Sequence, residues 1–307
     1  MSTLVTGGAG FIGRWVVKEL LSKKQRVVAL DNLGNGSINN VRDFKSPNFA
    51  FVKGDILERK KLDRVFRGAD TCIHLAAQIN VQESIDHPER AFENNVTGTY
   101  NVLEECRKHD TKLVLVGTCM VYDAAISKQI NEEHPVKPAS PYASSKLAAE
   151  ELAISYFHSY GLPVVITRPF NTYGPYQKSN LEGGVVSIFI KRNLERKPLL
   201  VFGDGKQTRD LLYVEDCADF IVEATNNKAV VGEVINAGSG KDISINDLAL
   251  LICKDKNKIK HVPHPHPQSE IRRLVCDYSK AKKILGWKPQ TSLREGIKKT
   301  TQWLASM

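Results

Sequence analysis

Short apolar runs alternate with segments of helical period along the first half of the chain. The runs that we predict to be strands read STLVTG, RVVALD, FAFVKGD, TCIHLAA, KLVLVGT and PVVITRP. Segments such as FIGRWVVKELLSKK and AFENNVTGTYNVLEECRKH lie between them and predict helices. Because the runs show no polar alternation and are separated by helices, the pattern favours parallel strands covered on both faces. It therefore predicts an α/β fold with a doubly wound parallel sheet.

The pattern changes after Arg168, where longer polar stretches and shorter helices begin. NTYGPYQKSNLEGG predicts a loop, VVSIFIKRNLER a helix, and PLLVFGDGKQTRDLLYV a hairpin-like pair of strands. We predict a first domain over residues 1–170, to which the segment of about 205–236 returns, and a small C-terminal lobe over 171–204 and 237–307. No linker-like stretch separates the two, so we expect them to share one core and a cleft.

Composition and charge are those of an ordinary globular protein. The chain has 307 residues and a formal net charge of +9, but its Lys and Arg are interleaved with acids on predicted helix faces. We interpret them as solvated surface, and we expect neither a nucleic-acid partner nor a membrane partner. No apolar run approaches the roughly 18 residues of a membrane span, and the N-terminus shows no basic leader region. The six cysteines are scattered without a CxxC pair, which predicts reduced thiols and a cytoplasmic location.

The stretch GGAGFIG, directly after the first predicted strand, has a glycine spacing suited to binding a diphosphate. Gly7, Gly10 and Gly13 permit a tight turn and a close approach of backbone N–H groups at the start of an amphipathic helix. Asp31 ends the second predicted strand about 20 residues later, where its carboxylate can accept both hydroxyls of a ribose. A carboxylate there repels a 2′-phosphate. The motif therefore predicts a Rossmann-type sheet that binds NAD in preference to NADP.

Two weaker signals follow later strands. GDI places Asp55 and Ile56 after the third strand, where they could bracket an adenine, although Asp55 could instead cap the next helix. HLAA places small residues, from His74 to Ala77, after the fourth strand. Small side chains there would let the backbone pack closely against the cofactor.

The stretch SPYASSK places Tyr142 and Lys146 four residues apart near the start of a predicted helix, so that both side chains lie on one face. A phenol is a poor base at neutral pH, but a nearby ammonium group and the positive nicotinamide ring would lower its pKa. We expect Tyr142 to take a proton from a sugar hydroxyl as hydride leaves the same carbon, with Thr118 hydrogen-bonded to that oxygen.

Taken in order, these segments resemble the extended branch of the short-chain dehydrogenase/reductase superfamily, the NAD-dependent nucleotide-sugar epimerases and dehydratases. The matching segments are VTGGAGFIG, LDNL, GDI, HLAAQINVQESIDHP, NNVTGT, PYASSK, RPFNTYGP, FGDGKQTRDLLYVED and DYSKAKKILGWKP. Together they span essentially the whole chain. AAQINVQESIDHP and GDGKQTRD are most similar to the UDP-glucose (UDP-galactose) 4-epimerases.

The resemblance implies a role for each matching residue. The cofactor would contact Gly7, Gly10, Phe11, Ile12, Gly13, Asp31, Asn32, Asp55, Ile56, Leu75, Ala76, Ala77, Asn95, Tyr142 and Lys146. The catalytic residues would be Thr118, Tyr142 and Lys146. The substrate, a UDP-sugar, would contact Thr118, Asn171, Arg209 and Glu270 in a substrate-binding C-terminal lobe.

Two further expectations concern Arg209 and the assembly of the protein. The guanidinium of Arg209 would grip a phosphate of the nucleotide, although from the residues alone it could instead form a salt bridge with Asp210 or Glu215. The resemblance also implies a homodimer formed through two helices, near residues 89–109 and 141–160.

The stretch GTCMVYD departs from the dehydratases that the chain resembles. Those enzymes carry an Asp and a Glu after the threonine, the first to protonate the departing hydroxyl and the second to abstract a proton, whereas this chain has Cys119 and Met120. Methionine cannot abstract a proton, and epimerisation needs no such pair. We therefore predict an NAD-dependent 4-epimerase that acts on a nucleotide sugar. Both a plain sugar and an N-acetylated sugar are consistent with this prediction.

Two alternatives to the epimerase stay open at this point. The first is a dehydratase that uses Cys119 as a catalytic residue in place of the usual Asp, whereas in an epimerase the thiol would be a small space-filling side chain. The second is a catalytically inactive NAD-binding sensor, which the presence of both Tyr142 and Lys146 disfavours.

The C-terminal lobe departs from the resemblance at HPHPQSEI. Pro267 stands three residues before Glu270, where family members have an arginine that clamps the diphosphate. The candidates to replace that arginine are His266, Arg272 and Arg273. The neighbouring histidines could suggest a metal site. The alternating prolines and the absence of a nearby Cys or Asp favour a rigid extended loop, so we predict no metal.

Overall fold

The computed structural model of the protein describes residues 1–123, 125, 129–179 and 184–307. Its strands are β1 (Ser2–Thr6), β2 (Arg26–Asp31), β3 (Phe49–Lys53), β4 (Thr71–His74), β5 (Lys112–Val116), β6 (Val164–Pro169), β7 (Asn171–Tyr173), β8 (Leu199–Phe202), β9 (Thr208–Tyr213), β10 (Val234–Ala237), β11 (Asp242–Ser244), β12 (Ile259–Val262) and β13 (Arg273–Leu274). Its helices are α1 (Phe11–Ser22), α2 (Arg59–Phe66), α3 (Val81–Asp86), α4 (Pro88–Phe92), α5 (Gly98–Lys108), α6 (Pro141–Tyr160), α7 (Val185–Leu194), α8 (Val214–Asn226), α9 (Ile245–Cys253), α10 (Ser279–Leu285) and α11 (Leu293–Ala305). Within the part of the chain that the structure describes, no helix combines the length and the apolar character that crossing a membrane requires.

Seven parallel strands form one sheet in the order β10-β6-β5-β4-β1-β2-β3. Six of them are the runs predicted from the sequence, which confirms the doubly wound parallel sheet. The seventh, β10, has the short sequence VINA and is missing from the predicted set. The strand order reverses at β1, because β2 and β3 lie on one side of it and β4 to β6 on the other.

Helices cover both faces of this sheet, which explains why its strands show no polar alternation. On one face, α1 and α8 pack together over a core that includes Val5, Leu20 and Phe220. On the other face, α2, α5 and α6 enclose a second core that includes Leu4 and Leu103. Burial of these apolar side chains is the main contribution that holds the helices on the sheet.

Helix α6 carries the SPYASSK motif and has clear signals at both ends. Ser140 is its N-cap, and the Ser140 side chain accepts a hydrogen bond from Ala143 N at 3.2 Å, with Pro141 in the first turn. Gly161 ends the helix with a φ of 66°, a left-handed conformation that glycine adopts without strain. The helix therefore begins one residue before Tyr142, which fixes where this side chain can lie.

A second, four-stranded sheet lies in the C-terminal half of the chain. Its central strand β9 pairs antiparallel with β11 and parallel with β7 and β13. The predicted hairpin over PLLVFGDGKQTRDLLYV is wrong, because β8 pairs with β12 in a separate two-stranded sheet. Gly203 and Gly205, both at positive φ, lie in the turn that leads from β8 to β9. Within the segment 205–236, β9 belongs to this second sheet, whereas α8 packs on α1 of the main sheet.

The side chain of Asp210 joins the two sheets. Asp210 lies on β9 and is fully buried. Its carboxylate accepts hydrogen bonds from Ser239 N and Ser239 Oγ, both at 2.6 Å, from Gly240 N at 2.9 Å and from Cys276 N at 3.0 Å. Ser239 and Gly240 follow the edge strand β10 of the main sheet. One carboxylate therefore satisfies three backbone donors that come from different parts of the chain.

We expect the Asp210→Asn variant to lose roughly 2–4 kcal/mol of unfolding free energy. The amide keeps one acceptor oxygen but turns an NH₂ group towards N–H donors, which leaves buried donors unsatisfied. Urea denaturation followed by circular dichroism measures the change. Asp86→Asn, at an exposed position, is the control and should shift the free energy by less than about 0.5 kcal/mol. Equal stability of the two variants would contradict the anchoring role.

Candidate active site

The glycine-rich turn lies between β1 and α1. Gly7 has a φ of 70°, and a Cβ at this position would lie 2.8 Å from the backbone nitrogen of Ala76. A Cβ on Gly13 would collide with the carbonyl oxygen of Gly7, so glycine is what lets the first turn of α1 lie this close to the loop. Gly10 is the N-cap of α1 and has no side chain to occupy the first N–H groups. The helix start therefore offers backbone donors and a partial positive charge to an anion.

Asp31 ends β2 beside this turn and is buried. Its Oδ2 accepts a hydrogen bond from Ala9 N at 3.0 Å, and its Oδ1 accepts one from Leu33 N at 2.7 Å. Burial raises the pKa of this carboxyl, while the two backbone donors act to lower it. Since Ala9 belongs to the glycine-rich turn, these bonds hold the carboxylate against the turn.

Asn32 and Asp55 follow neighbouring strands and contact each other. Asn32 Nδ2 donates a hydrogen bond to Asp55 Oδ2 at 2.7 Å, and Asp55 Oδ1 accepts one from Leu57 N at 2.9 Å. The N-cap of α2 is Glu58. Asp55 therefore stabilises the turn before this helix rather than capping the helix itself, which corrects one of the two roles expected for it.

A cavity of about 1110 Å³ opens at the ends of these strands. Its walls include most of the residues predicted to contact a cofactor, namely Gly7, Gly10, Phe11, Ile12, Gly13, Asp31, Asn32, Asp55, Ile56, Leu75, Ala76 and Ala77. Asn95, Tyr142 and Lys146, also predicted as cofactor contacts, are not part of its walls. The ends of four strands, β1 to β4, thus contribute to one cavity beside the start of α1.

Another wall of this cavity comes from segments that sequence reasoning did not assign to it. Tyr176, Gln177 and Lys178 follow β7, while Trp303 and Leu304 lie near the end of α11. The rings of Tyr176 and Trp303 pack against each other with their centroids 5.0 Å apart. No local pattern marks these residues, because their position depends on how the C-terminal part of the chain packs against the main sheet.

Buried polar side chains form a network behind the cavity. Thr99 Oγ1 donates to Asn95 O at 2.6 Å, so it accepts from His74 Nε2 at 3.1 Å. His74 Nδ1 then accepts from Thr6 Oγ1 at 2.6 Å. Burial lowers the pKa of His74 to about 3, so the ring stays neutral at physiological pH. The network therefore links β1, β4 and α5 without placing a charge there.

Asn95 has its whole side-chain amide engaged in this region. Its Oδ1 accepts from Gln78 N at 2.8 Å, and its Nδ2 donates to Gln78 O at 3.1 Å and to Ser145 Oγ at 2.9 Å. Ser145 Oγ in turn donates to Tyr142 O at 2.8 Å. Asn95 therefore ties the segment after β4 to the first turns of α6.

Thr118, Tyr142 and Lys146 come together at the end of β5. The phenol of Tyr142 is hydrogen-bonded to the hydroxyl of Thr118, which also accepts a hydrogen bond from Met120 N at 3.2 Å. Lys146 Nζ donates to Val116 O at 2.7 Å. The three residues predicted to be catalytic are therefore neighbours, although they lie on two separate elements of the chain.

The pKa values of this group differ from the sequence-based expectation. Burial raises the pKa of Tyr142 to about 12, and the hydrogen bond with Thr118 only partly opposes this. Burial lowers the pKa of Lys146 to about 8, while the carboxylate of Glu150 acts to raise it. In the protein alone the predicted lowering of the phenol pKa is therefore absent, because burial outweighs the stabilising contacts. Tyr142 is protonated at physiological pH in this state.

Cys119 and Met120 form the turn that follows Thr118. Cys119 is 2% exposed and belongs to an apolar cluster with Phe170 and Cys276, against which Met120 packs. Burial raises the pKa of the Cys119 thiol to about 12. The thiol is therefore neutral at physiological pH and packs as a small apolar side chain.

Arg209, on β9, has Glu270 as its carboxylate partner among the described residues. Its Nη1 also donates to Ile271 O at 2.9 Å. The alternative that we considered, a salt bridge with Asp210 or Glu215, is therefore wrong. The loop that contains Glu270 and the strand that carries Arg209 are joined by a partly buried ion pair with additional backbone hydrogen bonds.

Glu270 has a second partner in the same loop. Its Oε2 accepts from His264 Nε2 at 2.6 Å, while His264 Nδ1 accepts from His266 N at 3.1 Å. His264 therefore connects the backbone at His266 to the carboxylate of Glu270. Arg272 and Arg273, two of the candidates to replace the missing arginine, pair at the surface with Asp204 and Asp242.

Asn171 begins β7, next to the end of β6. Its Oδ1 is buried and accepts no hydrogen bond from the described residues. A buried acceptor in this state is a group that a bound molecule can satisfy.

Comparisons with known proteins agree with this arrangement. The family model described as GDP-mannose 4,6 dehydratase matches residues 4–300. A UDP-glucose 4-epimerase from Mycolicibacterium smegmatis is 36% identical over 312 residues, which cover 99% of this chain and 98% of that protein. The X-ray structure of Pal from Bacillus thuringiensis has a TM-score of 0.97 and 54% identity, and covers 100% of this chain and 99% of the other. A dTDP-glucose 4,6-dehydratase from Streptomyces venezuelae, solved with NAD bound, has a TM-score of 0.94 and 31% identity over 100% of this chain and 97% of the other.

Epimerases and dehydratases thus occur among the full-length relatives, and solved structures of both kinds superpose on this fold. The chain therefore belongs to the nucleotide-sugar epimerase and dehydratase family, within the extended branch of the short-chain dehydrogenase/reductase superfamily.

Proposed function

We propose that this protein is an NAD-dependent 4-epimerase of a nucleotide sugar. The observation that carries the proposal is the composition of the end of β5. Thr118, Tyr142 and Lys146 lie together there, yet the two residues after Thr118 are Cys119 and Met120 rather than carboxylates. Groups suited to moving a proton at a carbon that loses hydride are present, whereas the base that elimination requires is not.

We propose NAD as the cofactor, held in the cavity of about 1110 Å³. The residues fit it: Gly7 and Gly13 leave the space that a diphosphate needs at the start of α1, and Asp31 would accept hydrogen bonds from the ribose hydroxyls. The buried carboxylate would repel a 2′-phosphate, which supports NAD over NADP. When bound, NAD would accept a hydride from C4 of the sugar and return it.

The residues at the end of β5 would handle the proton that accompanies the hydride. Tyr142 Oη would receive the proton of the C4 hydroxyl as the 4-keto sugar forms, and would give it back when the alcohol is restored. Because burial holds the pKa of Tyr142 at about 12 in the protein alone, formation of the phenolate needs additional positive charge. The ammonium group of Lys146, one turn along the same helix, would supply part of it. Thr118 would hydrogen-bond the same sugar oxygen. Between the two transfers the keto sugar must rotate to present its other face.

A dehydratase would need a base at C5 of the sugar and an acid at the C6 hydroxyl. Met120 cannot be the base, and the Cys119 thiol, with a pKa of about 12, is not ionised at physiological pH. A neutral thiol can nevertheless donate a proton. Within the site, Cys119 is therefore the residue that favours the dehydratase alternative, and the match to the GDP-mannose 4,6 dehydratase family model also supports it.

We propose a UDP-sugar as the substrate. Arg209 is held by Glu270 and Ile271 O, which leaves other N–H groups of the guanidinium for phosphate oxygens. Asn171, with its buried and unsatisfied Oδ1, would contribute a further polar contact. The UDP-glucose 4-epimerase relative supports uridine as the base.

We also propose a homodimer formed through α4, α5 and α6. Phe92 is 60% exposed, Tyr100 40% and Tyr160 59%, so three large aromatic side chains face outwards on helices that pack together. A group of exposed aromatics is typical of a protein interface.

The Tyr142→Phe variant is expected to lower kcat by about 10²- to 10⁴-fold, because the proton acceptor is lost. Conversion of UDP-glucose and UDP-N-acetylglucosamine to their 4-epimers, followed by NMR, measures turnover. Calorimetry should give nearly the wild-type affinity for NAD. Tyr160→Phe removes the same hydroxyl from the exposed end of the same helix and should stay active. A Tyr142→Phe enzyme with wild-type turnover would defeat the proposed acid/base role.

Reaction in D₂O is expected to separate the two enzyme classes. An epimerase moves hydride without solvent exchange, so the product should be the 4-epimer with no carbon-bound deuterium. A dehydratase acting through a C5 carbanion would incorporate deuterium or release a keto or unsaturated sugar. Mass spectrometry and NMR of the product distinguish these outcomes. A keto or unsaturated sugar as the end product would overturn the 4-epimerase proposal in favour of the dehydratase.

Sedimentation velocity is expected to give the mass of two chains for the wild type. Phe92→Arg should shift the protein towards monomer, because it places a charge in the proposed interface. Phe202→Arg is the control: Phe202 is 43% exposed but lies on β8, away from these helices. A wild-type monomer at micromolar concentration would contradict the proposed dimer.

A further inference from the structure

A buried ion pair lies directly behind the catalytic end of α6. Glu150 is 1% exposed and Arg168 is 5% exposed. Glu150 Oε2 accepts hydrogen bonds from Arg168 Nε at 2.9 Å and from Arg168 Nη2 at 2.7 Å. Removing two charges from water carries a large desolvation cost, so a buried ion pair is weak evidence for stability by itself. None of the roles proposed so far involves either residue.

The second oxygen of Glu150 lies at the strand end that holds the catalytic group. Oε1 is buried and accepts no hydrogen bond from the described residues. A Cβ on Gly117 would collide with it, so this oxygen fills the space that a side chain at position 117 would take. Gly117 stands between Thr118 and Val116, whose carbonyl accepts the hydrogen bond from Lys146 Nζ at 2.7 Å. The carboxylate and the ammonium group therefore reach consecutive residues of the same strand end.

One face of helix α6 carries three ionisable side chains of this site. Tyr142, Lys146 and Glu150 follow each other at intervals of four residues in α6. Lys146 and Glu150 are both buried, so their charges interact through a medium that screens weakly. Among the described residues, the other titratable or charged groups around these side chains and their partner are His74 on β4, Cys119 and Tyr122 after β5, Arg168 on β6 and the exposed Glu151. His74, Cys119 and Tyr122 are neutral at physiological pH. Burial raises the pKa of Glu150, while Arg168 and Lys146 act to lower it, so these two cations favour the anionic form that faces the lysine.

We propose that the Glu150–Arg168 pair positions the catalytic lysine: Glu150 keeps Lys146 protonated and directed at the end of β5, and Arg168 fixes this carboxylate and offsets its charge. The inference rests on the proposed function, since it assigns a role at the same site. Burial acts to remove the proton from Lys146, and Glu150 opposes it. The same negative charge makes the phenolate of Tyr142 harder to form, which is why a compensating cation behind the carboxylate is useful.

The Glu150→Gln variant tests the charge directly. Without the carboxylate, the pKa of Lys146 should fall below its wild-type value of about 8, so the lysine loses its proton at a lower pH. Protein labelled with ¹³C,¹⁵N-lysine reports this as the titration of the ¹⁵Nζ resonance, assigned with Lys146→Arg. This readout needs no turnover. In the active enzyme, the alkaline limb of the kcat profile should move to lower pH, and kcat should fall about tenfold at neutral pH with KM nearly unchanged.

Two further variants separate this role from a purely structural one. Glu150→Gln alone leaves Arg168 buried without its partner and is expected to destabilise the fold. The double variant Glu150→Gln/Arg168→Gln removes both charges and keeps two amides of similar size. It should fold and still show the lowered pKa of Lys146. Glu151→Gln, the adjacent but exposed glutamate, should leave the lysine titration and the kcat profile unchanged.

The outcomes distinguish the two proposals. If the Lys146 resonance and the alkaline limb stay at their wild-type positions in both Glu150 variants, the pair is structural only and the inference is overturned, whatever stability is lost. If the wild type converts no nucleotide sugar, the proposed function fails, while the lysine titration still decides the role of Glu150.

Discussion

Parallel pairing aligns the carboxyl ends of β1, β4 and β5 on one edge of the main sheet, with Thr6 opposite His74 and His74 opposite Leu115. The chemical groups lie at or just beyond this edge, because the glycine-rich turn follows β1, Ala76 follows β4 and Thr118 follows β5. In an open parallel sheet the loops diverge where the strand order reverses, here between β1 and β4, and a crevice opens. The position of the cavity is therefore a consequence of strand order, whereas individual side chains decide what can bind there.

Burial at this edge opposes the ionisation of Asp31, Tyr142 and Lys146, and neighbouring groups offset this to different degrees. Burial raises the pKa of Asp31 and lowers that of Lys146. Asp31 is compensated by two backbone donors, and Lys146 by the carbonyl of Val116 and the carboxylate of Glu150. Tyr142 has no comparable support, and its pKa stays at about 12. Ionisation of the phenol in the proposed reaction therefore depends on positive charge that arrives with the cofactor, which would restrict proton transfer to the loaded enzyme.

The local sequence was sufficient to predict strands and site residues where a buried element also has a regular apolar pattern. It was insufficient where the pairing strand or the contacting side chain comes from a distant segment of the chain. The six predicted strands are apolar runs buried within a sheet that helices cover on both faces. β10, as short as β4, carries the polar Asn236 within VINA and was not predicted, and β8 pairs with β12 instead of β9. At the site, Tyr142 and Lys146 are recognisable because their spacing acts within one helix. Glu150 has the same spacing, but its importance depends on Arg168 from β6. Trp303 reaches the cavity only through packing of α11, which no local pattern encodes.

In the proposed mechanism, the choice between epimerisation and elimination of water depends on whether a charged side chain lies next to Thr118. The turn with Cys119 and Met120 packs on an apolar cluster that includes Phe170 and Cys276. A carboxylate in that cluster would be desolvated, which would raise its pKa and make it a stronger base once ionised. Cys119 and Met120 offer no such group. A surrounding that keeps side chains neutral suits a 4-keto sugar that must rotate without losing its C5 proton. In the proposed mechanism, the C5 proton is therefore retained because no base lies next to Thr118 and because the apolar cluster keeps the neighbouring side chains neutral.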